Sequence, residues 1–217
     1  MKDLEKTNYV DFPRCPDGQH VARLVGIFDL GTQEVVFEGN TKMTKRMYLQ
    51  FEVYAESEDG EGYAKDQRGH FFLIGQEFTA VMSNKGKLLP FVNSWRGKPL
   101  EDADFPFRFS RMLGKCALLS VATTVNKTDP NKKYASILSV APVPKRLMEG
   151  IPNPMLDPFF FDLDAQNWGA MSKFFDSGRL WDKIKARIAG TAEYKARTGG
   201  KTETPVSNDP ADDDIPF

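Results

Sequence analysis

The chain has 217 residues, of which 41% are hydrophobic and 12% aromatic, enough for one sizeable core with some appendages. Its apolar runs, such as "CALLSVA" at 116–122, are far shorter than the roughly 20 residues of a membrane-spanning helix, and the charged start "MKDLEKTNYVDFP" does not resemble a signal peptide. The formal net charge of −1 does not by itself favour a nucleic-acid ligand. Cys15 and Cys116 are too isolated for a disulfide framework or a zinc knuckle, which favours a reduced, cytoplasmic setting.

The first half of the chain is dominated by predicted strands. Residues 20–30 and 43–55 each read as one strand, and 70–82 as one bent strand or two short ones. Alternation in 43–55 predicts one apolar face and one outward face. The apolar face comprises Met47, Leu49, Phe51 and Val53, and the outward face comprises Arg46, Tyr48, Gln50, Glu52 and Tyr54.

A helical segment between 85 and 113 and two further strands, 115–125 and 133–143, complete this pattern. The loop 126–132 joins the last two strands as a hairpin-type connection. Five strands with an interposed helix favour a mainly β fold, a small closed barrel of the OB type over residues 1–145, with a β-sandwich as the alternative wiring.

The remaining residues divide into an appendage, 146–198, and a tail, 199–217. The proline-rich start of the appendage should be extended and wrap the surface. Two amphipathic helices follow, one with Trp168, Met171 and Phe175 on one face and one with Trp181, Ile184 and Ile188, ending near Gly190. The polar composition of 199–217 predicts disorder.

Charge is distributed unevenly between these parts. From Gly199 onward one lysine stands against five acidic residues, so the tail carries −4 and the other 198 residues carry +3. A mildly basic body with an acidic end indicates interaction with partners.

Catalytic patterns are scarce, so we expect no catalytic residue, no metal site and no cofactor. His20 and His70 lack a nearby second ligand, and "GGKT" at 199–202 lacks the glycine spacing and preceding strand of a phosphate loop. The aspartates at 212–214 lie on a tail predicted to be disordered, where a two-metal site would lack rigid ligands. A binding protein is the preferred interpretation.

The outward face of the strand 43–55 combines cations with aromatic rings, as sequence-tolerant binding of single-stranded nucleic acid requires. The alternative for Tyr48 is packing beneath a neighbouring loop. Other candidates lie in the strand 70–82, beside the helical segment, and in or beside the loop 126–132. Core packing is the alternative for Phe71 or Phe72. Trp95 is expected to anchor the helix, which leaves Arg96 and Lys98 for phosphate. The predicted single-stranded DNA-binding residues are Lys42, Lys45, Arg46, Tyr48, Tyr54, Phe72, Arg96, Lys98, Lys127, Lys132, Lys133 and Tyr134.

The last six residues, "DDDIPF", resemble the acidic C-terminal tip of bacterial single-stranded DNA-binding proteins. The body resembles instead the OB-fold single-stranded DNA-binding proteins of tailed bacteriophages, through "RLVGIFDLGTQ" (23–33), "KRMYLQFEV" (45–53), "SWRGKPL" (94–100) and "LGKCALLSV" (113–121). This resemblance covers roughly residues 20–145. The tether before the tip is shorter than the linker of the bacterial proteins.

The resemblance implies a protein that coats single-stranded DNA in phage replication, recombination and repair, in the host cytoplasm. It also implies that the tip recruits genome-maintenance proteins through Asp212, Asp213, Asp214, Ile215, Pro216 and Phe217. An apolar ring with a terminal carboxylate suits a small pocket with a basic rim, and the aspartates would steer it there. Two alternatives remain: an adaptor or decoy that imitates the host tip, and an RNA-binding OB protein. The oligomeric state is open.

Overall fold

The computed structural model describes residues 13–37, 39–126, 129–130 and 132–199. The predicted tip at 212–217 and Lys127 lie outside these residues, as does the tail apart from Gly199. Within them the protein is mainly β, with six strands in one sheet and four α-helices. The predicted mainly β class with an interposed helix and C-terminal helices is therefore confirmed.

Five long or medium strands form the body of the sheet. In chain order they are β1 (Gly18–Phe37), β2 (Asn40–Tyr54), β3 (Phe72–Thr79), β4 (Cys116–Val125) and β5 (Lys133–Ala141). Their hydrogen-bonded order is β3-β2-β1-β4-β5, and all of these pairs are antiparallel. A short sixth strand, β6 (Phe159–Phe161), pairs parallel with the middle of β1.

Strand β1 is bent, which lets it reach three neighbours. Register shifts at Leu24/Gly26 and Asp29/Gly31 mark two bulges, and each adds a residue that increases the local bend and twist. At the second bulge Gly31 has φ of +68°, and a Cβ there would lie 2.9 Å from a methyl of Thr191. Only glycine allows the C-terminal part of the chain to approach β1 so closely.

The sheet is not closed. β3 and β5 stand at the two ends of the strand order and share no ladder among the described residues. The predicted closed barrel is thus not confirmed, although the strands themselves lie close to their expected positions.

One face of the sheet packs on the helix α1 (Leu88–Arg96). We call this packing the inner cluster; it includes Leu24, Ile27, Leu49, Phe51, Val53, Ile74, Phe78, Phe91, Trp95 and Leu119. Trp95 anchors α1 as expected, since its indole N–H donates to the carbonyl of Cys116 at 2.8 Å.

The opposite face of β1 and β2 is covered by residues from beyond the five-stranded body. The covering helices are α2 (Trp168–Asp176), α3 (Asp182–Gly190) and α4 (Ala192–Thr198), the last not predicted. None of the helices in the described part of the chain is both long and apolar enough to cross a bilayer. The outer cluster comprises Phe28, Leu30, Tyr48, Phe161, Leu163, Phe174, Phe175, Leu180, Ile184, Ile188 and Ala189.

Candidate nucleic-acid interface

A groove of about 560 Å³ lies between β3 and β5, where the sheet stays open. One wall is Phe72–Glu77 of β3 and the other is 133–138 of β5. The segment 13–15 and the start of α3 also line the groove. Because each wall is a strand at the end of the sheet, main-chain groups and side chains both face this space.

Among the described residues, four aromatic side chains line the groove: Tyr48, Phe72, Tyr134 and Trp181. Trp181, directly before α3, is 46% exposed and meets Tyr48 edge-to-face at a centroid distance of 5.8 Å. Tyr134 of β5 is half-buried on the opposite wall. An exposed indole held from behind by a buried ring is a rigid platform on which a base can stack.

Tyr48 reaches the groove because its ring lies over a glycine of β3, Gly75, two residues before the position opposite it. A Cβ on Gly75 would lie 2.1 Å from the hydroxyl of Tyr48, so the ring occupies the space that any larger residue would fill. Burial and then the nearby Glu77 raise the pKa of Tyr48, which keeps its hydroxyl protonated at neutral pH. Only 3% of the residue is exposed, so it supports the groove wall from behind.

Cations line the same groove. Arg14, Lys133 and Lys183 are contributed by three separate parts of the chain, and Lys133 and Lys183 are exposed. Glu77 is the one acidic residue among the described lining residues, and its carboxylate binds Arg46 and Arg187. The lining is therefore positive overall, as a groove for a phosphate backbone requires.

The carboxylate of Glu77 is part of a buried ion-pair network and is not exposed to solvent as a free charge. Burial opposes ionisation, but hydrogen bonds and charge from Arg187 and Arg46 outweigh it and lower the pKa of Glu77. Arg46 Nε donates to one carboxylate oxygen at 2.7 Å, and Arg187 Nη2 donates to the same oxygen at 2.8 Å. Arg187 Nη1 donates to the second oxygen.

Cys15 does not supply a nucleophile to this site. It lines the groove but is 3% exposed, and burial followed by the charge of Asp17 raises its pKa to about 12. A thiol with that pKa stays protonated at neutral pH and reacts slowly. The described lining residues supply ring faces, cations and strand edges, which are features of binding.

The predicted outward face of β2 needs correction. Arg46, Tyr48, Gln50, Glu52 and Tyr54 do alternate with the inner cluster, but they are 6%, 3%, 1%, 1% and 3% exposed. The exposure expected for Arg46, Tyr48 and Tyr54 is therefore wrong. Alternation shows which side a residue takes but not what covers it: the outer cluster, mostly from residues more than 100 positions later, covers Tyr48, whereas Tyr63 and Phe71 pack on Tyr54.

Tyr54 belongs to a buried polar network away from the groove. Its hydroxyl donates to Glu52 at 3.1 Å and accepts from Arg23 Nε at 3.2 Å. Glu52 also accepts from the backbone N–H groups of Met155 and Leu156 at 3.0 and 3.2 Å. This network attaches the proline-rich segment to β2.

The remaining predicted residues divide between the groove and distant surfaces. The groove is lined by Phe72, Lys133 and Tyr134. Phe72 is nevertheless only 8% exposed, because it also packs in the inner cluster. Its neighbour Phe71 is buried elsewhere, against Tyr54 and Tyr63. Lys132 is half-buried beside Lys133. Lys42 is exposed towards the tip of the β1–β2 hairpin, away from the groove lining.

Arg96 is not available for phosphate as predicted. Its guanidinium donates to both carboxylate oxygens of Asp104 at 3.1 and 3.3 Å, with 20% of the side chain exposed. Lys98 is exposed, as expected, but neither residue lines the groove. The loop around α1 therefore uses Arg96 for its own structure.

Lys45 is also engaged, in an acidic cluster on another part of the surface. Asp29, Asp162 and Asp164 each bring a carboxylate oxygen within 4.8 Å of the others, a spacing that could hold a cation. Lys45 Nζ lies 3.6 Å from Asp29 and 3.1 Å from Asp164 and so supplies a positive charge there. Burial alone would lower the pKa of Lys45, but its hydrogen bond to Asp164 and the charge of Asp29 raise it.

Sequence reasoning missed Trp181, Lys183 and Arg14 as groove residues. The helical pattern predicts Trp181 on the buried face with Ile184 and Ile188, which are indeed 3% and 0% exposed. Asp182 in the first turn marks the start of α3, so Trp181 precedes the helix and its ring is not confined to that face. For Arg14 and Lys183 no local signal exists.

Comparison with protein-family models and with curated proteins finds no match to this sequence. The assignment of function therefore rests on the geometry and charge of the groove.

Proposed function

We propose that this protein binds single-stranded DNA with little sequence preference, in the groove between β3 and β5, and has no catalytic step. The observation that carries the proposal is that the half-exposed Trp181 lines one groove together with Tyr134 and with the cations Arg14, Lys133 and Lys183. Rings that accept any base and cations that follow phosphates are the two requirements of such binding.

The fold that we propose is a partly open OB type. The order β3-β2-β1-β4-β5, with α1 between β3 and β4, would become a five-stranded OB barrel if β3 met β5. The groove lies at that junction, so the proposed binding site is at the gap where β3 and β5 do not pair.

We further propose a phage-type role in replication, recombination or repair, with the tip Asp212–Phe217 recruiting partner proteins. This role rests on the resemblances of the sequence, and the tip lies outside the described residues. Because the tail carries −4 and the body +3, the tail would compete with DNA for the basic groove.

The direct test is a fluorescence-anisotropy titration of the full chain with labelled oligo-dT, oligo-dA, RNA of matched length and duplex DNA. We expect tight binding of both DNA single strands and much weaker binding of duplex. Each phosphate contact should contribute about −0.7 to the logarithmic salt slope. Preference for RNA would favour the RNA-binding alternative, and no binding to any strand at low salt would favour the adaptor that acts through its tip.

Two sets of variants locate the site. Trp181→Ala should weaken oligo-dT binding by about 1–3 kcal/mol, the usual contribution of one stacked base. Leu147→Ala, at a 40% exposed position outside the groove lining, should not weaken binding.

Removal of residues 207–217 should tighten oligo-dT binding, most at low salt, because it removes the competing negative charge of the tail. An unchanged affinity across the salt series would contradict tail competition.

A further inference from the structure

We propose that Glu77 is a positioning residue, which fixes α3 and therefore Trp181 against the groove by holding Arg187. This inference rests on the proposed binding of single-stranded DNA. It also explains why a carboxylate, whose negative charge would repel the phosphates of DNA, lies in the proposed site.

The contacts of Glu77 explain why its charge does not repel DNA. Only 6% of its side chain is exposed, and its two oxygens are covered by the guanidinium groups of Arg46 and Arg187. The three residues together carry a formal charge of +1, so the group as a whole is cationic. A buried carboxylate with such partners is effective at fixing geometry, because charge-assisted hydrogen bonds to both of its oxygens hold the two guanidinium groups in defined positions.

The two arginines come from different parts of the fold. Arg46 lies on β2, is 6% exposed and also donates to the hydroxyl of Thr79 at 3.0 Å, so the carboxylate is fixed to the sheet. Arg187 lies on α3, and its side chain is 26% exposed. Glu77 therefore connects α3 to the sheet.

The register of the sheet brings this contact next to the groove wall. Tyr48 and Glu77 are directly opposite each other on β2 and β3. Trp181 packs on Tyr48, and Arg187 binds Glu77, so α3 is attached to one cross-strand pair at two points. Trp181, which directly precedes α3, and Arg187, near its end, are six positions apart, about 9 Å at the rise of a helix, and together they restrain both the tilt and the height of α3.

The test compares Arg187→Gln with Lys185→Gln in the full chain. Both remove one positive charge from α3, but the ammonium of Lys185 lies over the ring of Phe175 at 5.1 Å and is not among the contacts of Glu77. Arg187→Gln keeps the Arg46–Glu77 pair, so we expect it to fold. Affinity for labelled oligo-dT should fall about three- to tenfold in Arg187→Gln and less than about twofold in Lys185→Gln.

A spectroscopic readout separates position from charge. The protein has three tryptophans, and 5-fluorotryptophan labelling gives one ¹⁹F resonance for each, with Trp181→Phe identifying that of Trp181. Without DNA, Arg187→Gln should move or broaden the Trp181 resonance and leave that of Trp95 in place. Arg187→Lys, which keeps the charge but not the two-oxygen contact, should give intermediate values of both affinity and shift.

Equal losses of affinity in the two glutamine variants, with an unmoved Trp181 resonance, would overturn the inference and leave Arg187 as a simple phosphate contact. An unchanged affinity in Arg187→Gln would also overturn it, while the wild-type titration still supported the proposed function. Failure of the wild-type protein to bind oligo-dT would remove the proposed function itself, and this inference with it.

Discussion

The two faces of β1 and β2 are both buried, but by different means. The inner cluster is formed by apolar residues of the five-stranded body and α1, all between residues 15 and 140. The outer cluster depends on residues 159–198, and it adjoins three buried polar side chains of β2, Arg46, Gln50 and Glu52. The inner face is thus closed by the body itself, and the outer face by an appendage held through specific polar contacts.

This difference explains why a strand with clear alternation presents no exposed face. The polar residues of β2 do point away from the inner cluster, and two of them, Arg46 and Glu52, meet charged or hydrogen-bonding partners instead of water. Glu52 accepts hydrogen bonds from the proline-rich segment, and Arg46 shares Glu77 with α3. Since a buried polar group without a partner is costly, these contacts specify where the appendage can dock.

The largest expected effect compares one phenylalanine from each cluster. Phe51 and Phe161 are both fully buried, so Phe51→Ala and Phe161→Ala should each lower the free energy of unfolding by about 3–5 kcal/mol. Urea unfolding followed by circular dichroism should show one transition for both variants. A separate early transition in Phe161→Ala alone would mean that the outer cluster unfolds independently of the inner one. Leu147→Ala should stay within about 0.5 kcal/mol of wild type.

A smaller effect is expected from the polar contacts of the outer face. Glu52→Gln replaces one of the two accepting oxygens with an NH2 group that cannot accept, so a single oxygen remains for the N–H groups of Met155 and Leu156 and the hydroxyl of Tyr54, and it should cost about 1–3 kcal/mol. Glu56→Gln, at an exposed position nearby, is the matched control and should cost less than about 0.5 kcal/mol. Equal effects on the urea midpoint would show that the Glu52 contacts add little to stability.

Two glycines sharpen the comparison where the outer cluster meets the groove. Gly75→Ala forces a methyl group into the ring of Tyr48 and should destabilise the fold by about 1–3 kcal/mol through overpacking. Gly190→Ala, at the end of α3 with nothing within 4 Å, should be neutral or stabilising by about 0.5–1 kcal/mol. Thermal unfolding of both variants measures the difference, and a stable Gly75→Ala would place the Tyr48 ring elsewhere.

The smallest expected effect is a difference of rate. With a pKa of about 12, Cys15 should have roughly one thiolate per 10⁴ molecules at pH 8, whereas Cys116 is half-buried in β4. Iodoacetamide should therefore modify Cys116 first in the folded protein, as peptide mass mapping over time would show. Rapid modification of Cys15 would mean that the inner cluster opens at the groove.

The sequence predicts local features well and the docking of the appendage poorly. The strand near 43–55 and its two faces follow from alternation, and α1 from bulky residues between Lys85 and Leu113. The anchoring role expected for Trp95 is local too, since Gly97 and Pro99 shape the backbone directly after it. By contrast, Tyr48 and Trp181 are 133 positions apart, and no periodicity encodes that they touch. The same limit hides the groove, which is assembled from the chain start, β3, β5 and α3.

The shared use of β1 and β2 by both clusters has a consequence for how the molecule can be divided. A fragment that ends with β5 would keep every strand of the main sheet except β6, yet it would uncover Phe28, Leu30 and Tyr48 on one side. An exposed apolar surface of this kind promotes self-association, so the smallest fragment that stays monodisperse should extend to the end of α4. The appendage therefore protects one face of β1 and β2 from self-association by covering its apolar residues.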